Sequence, residues 1–283
     1  MSSNLELPLF DKPPVSRLRK RAEPFIKWAG GKQSLVSQIT PNFPKSYKKY
    51  YEPFIGGGSI FFSLEHHTGI ISDQNDWLID TYLAIRDNWK AVVEELINTP
   101  NTKEDFLRLR AVNPSTLNEI KKAALFIYLN KTCFRGLFRV NRSGQFNVPY
   151  GAYDRRYCDP QNIEAVSVAL LDTTILKGDF EAALVGIESG DFVYFDPPYY
   201  KLGGYSDFNR YTSAQFRETD HLRLASLCNE LDSLGVKWAV SNSDTEFTRS
   251  LFAKYKAHPI KARREINLKS QDRNVSELLF TNY

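Results

Sequence analysis

Four apolar segments of the chain each end in a turn rich in glycine, aspartate, asparagine or proline. The four junctions read FIGGGS (54–59), ISDQN (71–75), LKGDF (176–180) and FDPPY (195–199). Short apolar runs bounded by turn residues predict buried strands. In open α/β sheets, ligands bind outside the carboxyl ends of such strands. The sequence therefore predicts an α/β fold whose strand ends form the rim of a ligand cleft.

The rest of the chain predicts helices, further strands and a hairpin. Apolar residues at helical spacing predict a helical block over roughly 75–131, an apolar helix after the glycine turn of 48–65, and a helix near 162–170. A helix is expected from about Ser213 to Leu234, then a strand over 236–244 and terminal strands within 265–283. Two apolar-aromatic runs around residues 141–144 predict a β-hairpin over 134–151.

Composition narrows the class of protein. The 283 residues carry 37 basic and 33 acidic side chains, a net charge of +4 that permits a polyanionic partner without requiring one. No apolar run approaches the roughly 20 residues of a membrane span. Cys133, Cys158 and Cys228 are far apart and odd in number, so we expect reduced cytoplasmic thiols, with neither a disulfide framework nor a bound metal.

Two glycine motifs do not match known phosphate-binding patterns. FIKWAGGK (25–32) lacks the first glycine of a phosphate-binding loop, and Gln33 replaces its Ser or Thr. EPFIGGGSIFF has Phe61 in place of the third glycine of a dinucleotide fingerprint. The triple glycine still permits close backbone approach to a ligand and offers N–H groups to a carboxylate.

Two acids follow predicted strands. Asp73 is placed to accept hydrogen bonds from ribose hydroxyls, although an Asx-turn or helix-cap role is the alternative. Asp179 is placed to accept from an exocyclic amine, beside the Phe180 ring, which can stack.

The segment Asp196-Pro197-Pro198-Tyr199 carries the most specific chemistry. An aromatic amine such as N6 of adenine is a poor nucleophile because its lone pair is delocalised. The Asp196 carboxylate and Pro197 carbonyl would accept both N–H hydrogens, free that lone pair and stabilise the positive charge that develops during methyl transfer. The Pro-Pro turn is stiff, and the Tyr199 ring would stack on the base for about 1–3 kcal/mol.

The order of these motifs resembles that of the Dam-type (D12 class) DNA adenine-N6 methyltransferases. The resemblance spans about 25–283 and rests on KWAGGK (27–32), EPFIGGGS (52–59), SDQN (72–75), GDF (178–180), DPPY (196–199) and SNSD (241–244). It implies a Rossmann-like S-adenosylmethionine-dependent methyltransferase fold with an inserted helical, β-hairpin-bearing DNA-recognition domain. The implied domains are a flexible basic tail (1–24), a catalytic domain (25–80 and 166–283) and a DNA target-recognition domain (81–165).

The resemblance also implies site residues. The methyl donor would contact Trp28, Lys32, Phe54, Gly56, Gly58, Asp73, Asp179, Phe180 and Asp196. Double-stranded DNA would contact Lys27, Phe134, Arg135, Leu137, Arg139, Asn141, Pro149 and Tyr153. Relatives that read GATC use such a set, and Arg139 suits guanine while Leu137 suits a thymine methyl. Arg135 stands where the family usually has Asn, which affects how the gap left by an extruded base is filled.

The sequence thus predicts a cytoplasmic enzyme of bacterial, archaeal or phage origin that flips an adenine of GATC or a related site out of duplex DNA. A partner restriction endonuclease would be a genetic rather than a physical partner. Two alternatives stay open: methylation of another amino group (cytosine N4 or protein glutamine), and a DNA- or nucleoside-binding module that has lost catalysis.

Overall fold

The computed structural model describes residues 20–65, 67–141, 144–154, 156–200, 216–263 and 274–283. Within them, seven strands form one sheet. The strands are β1 (Tyr50–Glu52), β2 (Gly69–Asp73), β3 (Thr173–Lys177), β4 (Phe192–Phe195), β5 (Lys237–Ser243), β6 (Lys256–Arg263) and β7 (Asn274–Thr281). The four strands predicted to end at the cleft and the strand over 236–244 are thereby confirmed.

The sheet order is β3-β2-β1-β4-β5-β7-β6. The first five strands run parallel, so their carboxyl ends meet at one edge of the sheet. β7 is antiparallel to β5, and this pairing sets Glu277 opposite Ser243 at that same edge. The order reverses at β1, and the crevice at such a reversal is where open α/β sheets bind ligands.

Both faces of the sheet are buried, which explains the continuous apolar runs. Along β4, Phe192 and Tyr194 belong to one core cluster while Val193 and Phe195 belong to the other, as strand alternation requires. All four side chains are fully buried.

Helices cover the two faces of the sheet and occupy much of the chain between β2 and β3. They are α1 (Val36–Ile39), α2 (Asp76–Ile97), α3 (Lys103–Arg110), α4 (Glu119–Thr132), α5 (Pro160–Leu170), α6 (Glu218–Ser233) and α7 (Glu246–Leu251). The long helix α2 packs against α4 and α5, and α6 packs against β5. No helix within the described ranges has the length and apolar character needed to cross a membrane.

Three elements differ from the sequence prediction. The expected helix after the glycine turn is only a short 3-10 turn, Phe61–Ser63, whose apolar residues reflect burial rather than a helical face. Helix α6 begins at Glu218, where the Arg217 amide donates to the Asp220 carboxylate; Ser213 lies outside the described residues. Strand β6 was not predicted; it contains Pro259, which an edge strand tolerates.

The segment over 134–151 forms the predicted antiparallel pairing, although without regular strands. Isolated bridges join Cys133 to Tyr150 and Val140 to Phe146. A short 3-10 turn, Phe134–Gly136, lies between the two bridges, and residues 142 and 143 of the tip lie outside the described residues. We call residues 133–151 the hairpin below.

Candidate active site

A buried ion pair lies at the carboxyl edge of the sheet. Lys32 Nζ is 2.8 Å from Asp196 Oδ1, just beyond the end of β4, and donates a 2.6 Å hydrogen bond to the carbonyl of Gly30. The Lys32 side chain is only 5% exposed and that of Asp196 is 17% exposed. Burial raises the pKa of Asp196 to about 6, while Lys32 opposes this shift and Glu277 adds to it. The site thus contains a carboxyl group that titrates near neutral pH.

Tyr199 lies against the same pair. Its hydroxyl donates a 2.9 Å hydrogen bond to Glu277 Oε2, and Lys32 Nζ is 4.6 Å from the centre of its ring. Burial and the nearby carboxylates of Asp196 and Glu277 raise the pKa of Tyr199 well above its usual value. The phenol therefore stays protonated and keeps donating to Glu277.

The Pro-Pro turn is fixed from β5. The Tyr200 amide donates a 3.2 Å hydrogen bond to Asn242 Oδ1, and the Ser243 hydroxyl donates a 2.6 Å bond to the Tyr200 carbonyl. Pro197 is buried and Pro198 half-buried. The SNSD segment thus serves the Asp196–Tyr199 turn, and Tyr200, which had no assigned part, connects the two.

The triple glycine forms a close-packed turn after β1. A Cβ on Gly56 would lie 2.6 Å from Trp28 Cδ1, and one on Gly58 would lie 2.6 Å from Phe62 Cε2. Both have positive φ, at +47° and +73°, so glycine is required by conformation and by space. The Tyr82 hydroxyl donates a 3.0 Å bond to the Gly56 carbonyl. This turn brings Trp28 of the KWAGGK motif beside the sheet edge.

Asp73, at the end of β2, organises the neighbouring turns. Its Oδ2 accepts from the Gly56 amide at 3.1 Å and its Oδ1 from the Asn75 amide at 2.9 Å. Asn75 in turn caps α2 by accepting from the Leu78 amide at 3.0 Å. Burial raises the pKa of Asp73 to about 6, and the backbone hydrogen bonds limit the rise. The hydrogen bond from the Asn75 amide is the one that the Asx-turn alternative requires, and the ribose contact stays a prediction.

Asp179 follows β3 and forms an ion pair with α6. Arg223 Nη2 lies 2.9 Å from Asp179 Oδ1 and 3.0 Å from Glu181 Oε1. The guanidinium is 4.9 Å from the centre of the Phe180 ring. Phe180 itself is 3% exposed, and its ring stacks on the Phe54 ring with the centres 5.4 Å apart. The Phe180 ring is therefore packed in the protein core and does not present an exposed surface for stacking.

The residues predicted to contact DNA gather at the hairpin and its neighbours. Lys27, Phe134, Arg135, Asn141 and Pro149 are exposed, whereas Leu137, Arg139 and Tyr153 are partly buried. The Phe134 amide donates to the Pro149 carbonyl at 2.8 Å, and the Arg135 amide donates to the Tyr153 hydroxyl at 2.8 Å. The predicted set therefore lies on one connected piece of structure.

Three residues near the predicted sites were not found from the sequence. Asn147 orients Arg139 by accepting from its Nε at 2.7 Å and, through its carbonyl, from its Nη2 at 3.3 Å. Glu277 reaches Tyr199 from β7, and Arg223 reaches Asp179 from α6. Only Asn147 had a sequence signal, its place within the hairpin pattern.

Known proteins resemble this chain along most of its length. The family model of the D12 class N6 adenine-specific DNA methyltransferases matches residues 28–266. Type II methyltransferase M.MjaIII of Methanocaldococcus jannaschii is 40% identical, over 92% of this chain and 99% of that protein. Type II methyltransferase M1.LlaDCHI of Lactococcus lactis subsp. cremoris is 39% identical, over 92% of this chain and 95% of that protein. A DNA adenine methylase of Vibrio cholerae is 31% identical, over 92% and 96%.

Proposed function

The chain belongs to the D12 class of N6 adenine-specific DNA methyltransferases, and we propose that it methylates an adenine flipped out of duplex DNA, in GATC or a closely related site. The Asp196–Lys32 ion pair beside Tyr199 carries this proposal. At this place the Asp196 carboxylate, which can accept hydrogen bonds from an amine, lies near the Tyr199 ring, which can stack on a base. N6 is out of reach inside the stack, so the base must leave it.

Asp196 and Pro197 would activate the amine. With Oδ1 of Asp196 paired to Lys32, Oδ2 and the Pro197 carbonyl would accept the two N6 hydrogens and stabilise positive charge on the nitrogen. Bound S-adenosylmethionine supplies a methyl group on a cationic sulfur. After methyl transfer, the nitrogen is strongly acidic, and a carboxylate with a pKa of about 6 can accept its proton. Pro198 would stiffen the turn, and Tyr199 would stack on the adenine.

The residues around the glycine turn fit the methyl donor. The Gly178 amide donates to the Asp73 carbonyl at 3.2 Å, and an ideal Cβ on Gly178 would meet nothing within 4 Å, so there is open space beside the end of β2. Asp73 would accept from the ribose hydroxyls and Asp179 from the adenine amine of the donor. The other proposed donor contacts would line this space, and they are Trp28, Lys32, Phe54, Gly56, Gly58 and Phe180.

We further propose that 81–165 reads the DNA while 25–80 and 166–283 perform the chemistry. Arg139 would bind guanine O6 and N7, and Leu137 would contact a thymine methyl. The remaining proposed DNA contacts are Lys27, Phe134, Arg135, Asn141, Pro149 and Tyr153. The names of the type II relatives support a role beside a restriction endonuclease that reads the same sequence.

Expression in a host without DNA methylation, followed by sequencing that detects modified bases, tests the proposal. We expect N6-methyladenine at GATC or a site differing by one base pair. Methylation at an unrelated adenine-containing motif would contradict the assignment of the base-contacting residues and leave the chemistry intact. N4-methylcytosine, or no DNA modification by folded enzyme with donor present, would contradict the proposed reaction.

A further inference from the structure

The side chain of Asn130 joins two separate segments that carry proposed DNA contacts. It lies in the last turn of α4 and is fully buried, at 0% exposure. Its Oδ1 accepts a 2.8 Å hydrogen bond from the Lys27 amide, and its Nδ2 donates a 2.8 Å bond to the Lys27 carbonyl. Nδ2 also donates a 3.2 Å bond to the carbonyl of Gly136 at the start of the hairpin.

These three bonds fix the position of Lys27 relative to the hairpin. Hydrogen bonds to both the amide and the carbonyl of Lys27 fix the position and the orientation of its backbone. The third hydrogen bond fixes that position relative to the Gly136 carbonyl. Gly136 packs directly on the Lys27 side chain, since a Cβ there would lie 2.6 Å from Lys27 Cβ. Its φ of +66° also favours glycine.

The adjacent residue adds a second connection between the same segments. The Trp28 ring stacks on Phe138 of the hairpin at 5.5 Å and on Phe126 of α4 at 6.2 Å. This contact is apolar and tolerates sliding, whereas hydrogen bonds from a planar amide are directional. Asn130 is therefore the element that determines register, and the aromatic stack supplies burial.

We propose that Asn130 is a positioning residue for DNA sequence discrimination. It sets the distance between Lys27 and the hairpin side chains Leu137 and Arg139, so that these groups meet consecutive base pairs together. The inference rests on the proposed function, because it requires Lys27 and the hairpin to contact bases. Asn130 is buried and touches neither the DNA nor the methyl donor in this assignment.

The chain offers a matched control in Asn162 of α5. It is 6% exposed and forms the same two bonds with Glu23, accepting from its amide at 3.0 Å and donating to its carbonyl at 2.9 Å. Its hydrogen bonds connect α5 to the segment before Lys27, and none of those in the described residues joins it to the hairpin. Loss of the Asn162 side chain therefore removes the same pair of buried hydrogen bonds to a backbone amide and carbonyl, without displacing the hairpin.

The test begins with the wild-type enzyme and the site mapped in the methylation-deficient host. The kcat/KM for a duplex with that site is divided by the value for duplexes with one base pair changed. We expect Asn130→Ala to lower this discrimination ratio about tenfold, the contribution of one misplaced base contact, and Asn162→Ala to leave it within about twofold. Thermal unfolding should show both variants folded and less stable than the wild type.

Asn130→Ser keeps one hydrogen-bonding group in a smaller side chain and should give an intermediate ratio, which also serves if the alanine variant does not fold. A folded Asn130 variant with the wild-type ratio would overturn the inference. An equal loss of discrimination in Asn162→Ala would overturn it too, because the effect would then be general loosening. Absence of DNA methylation by the wild type would instead overturn the proposed function on which it rests.

Discussion

Lys32 Nζ lies 2.8 Å from Asp196 Oδ1, and this contact joins the KWAGGK motif to the turn that ends β4. The pair is largely buried, so the charge on one partner strongly affects the titration of the other. Glu277, on the antiparallel strand β7, raises the pKa of the same carboxyl. Burial raises the pKa of Asp196 most, and one neighbouring cation and one neighbouring acid then shift it in opposite directions.

Opposite shifts in pH dependence should follow from removal of these two neighbours. Asp196 must be ionised to accept hydrogen bonds, so kcat/KM for DNA at saturating donor should rise with pH through about 6. Lys32 lowers the pKa of Asp196, so Lys32→Met should move this rise to higher pH. Glu277 raises it, so Glu277→Gln should move the rise to lower pH.

Saturating donor removes the contribution of Asp73, whose pKa is also about 6 but which is proposed to act in donor binding. The measurement is a set of initial rates between pH 5 and 8 for the wild type and both variants. Shifts in the same direction for the two variants would contradict this electrostatic account.

Loss of the Asp196 carboxylate should abolish methyl transfer but not DNA binding. Asp196→Asn keeps the shape and one acceptor oxygen but removes the charge that stabilises the developing cation. We expect kcat to fall at least about a hundredfold. DNA affinity, measured by fluorescence anisotropy, should change little, because the proposed DNA contacts lie at the hairpin, Lys27 and Tyr153.

Asp191, at the opposite end of the segment that contains β4, is the control for this change. It is 2% exposed and accepts from the Lys49 and Glu188 amides at 3.1 and 3.0 Å. Asp191→Asn should lower the unfolding temperature and leave kcat within a fewfold of the wild type. Full activity in folded Asp196→Asn would refute the catalytic role.

The strand ends were predictable from the sequence for a local reason. A buried parallel strand needs a continuous apolar run, and the polar residues that follow it, such as Asp73 and Asp196, mark its end. Since all five parallel carboxyl ends share one edge, these acids had to lie along the same edge once the strands were identified. Their shared position follows from topology, not from distances that a sequence contains.

Glu277 and Arg223 were not predictable in the same way. Alternation along β7 indicates which residues share a face, but only the antiparallel pairing with β5 brings Glu277 to the cleft. Arg223 is 43% exposed on α6 and has the pattern of an ordinary surface residue. Both act through tertiary contacts between distant segments, which periodicity and spacing do not encode.

A double-mutant cycle should show that Tyr199 and Glu277 act together. Their 2.9 Å hydrogen bond orients the ring proposed to stack on the adenine. Tyr199→Phe and Glu277→Ala should each lower kcat about tenfold, and the double variant should be little worse than either, giving a coupling energy of about 1 kcal/mol. Stopped-flow or steady-state methylation assays supply the rates.

Tyr194 provides the comparison, because its buried hydroxyl is hydrogen-bonded to Ser241 at 2.7 Å within the sheet rather than to Glu277. Tyr194→Phe should leave the Tyr199–Glu277 coupling unchanged. Strict additivity of the Tyr199 and Glu277 effects would show that the hydrogen bond does not matter to the reaction.

Arg223→Ala should weaken binding of the methyl donor. Arg223 bonds to Asp179 and Glu181 and lies over Phe180, so its removal frees the carboxylate proposed to accept from the adenine of the donor. We expect the dissociation constant for S-adenosylmethionine, measured by calorimetric titration, to rise roughly threefold to tenfold, the effect of one weakened charged hydrogen bond. Arg86→Ala, which removes an ion pair with Asp87, should leave it unchanged. Equal donor affinity in wild type and Arg223→Ala would exclude this positioning role.

Arg135→Asn should stabilise the protein and test the site preference at once. Arg135 has φ of +59° and ψ of +10°, a left-handed conformation that costs an ordinary residue about 1–2 kcal/mol and that asparagine tolerates better. The substitution keeps the amide that donates to Tyr153 and should raise the free energy of unfolding by about 0.5–1 kcal/mol in urea titrations. Ala152, with φ of +52°, is the control: Ala152→Asn should stabilise similarly without changing the methylated sequence.

Methylation mapped with Arg135→Asn should become more selective for GATC, because asparagine is the family's usual residue there. An unchanged methylation map would show that Arg135 does not set the site preference, and unchanged stability would show that its backbone carries no strain.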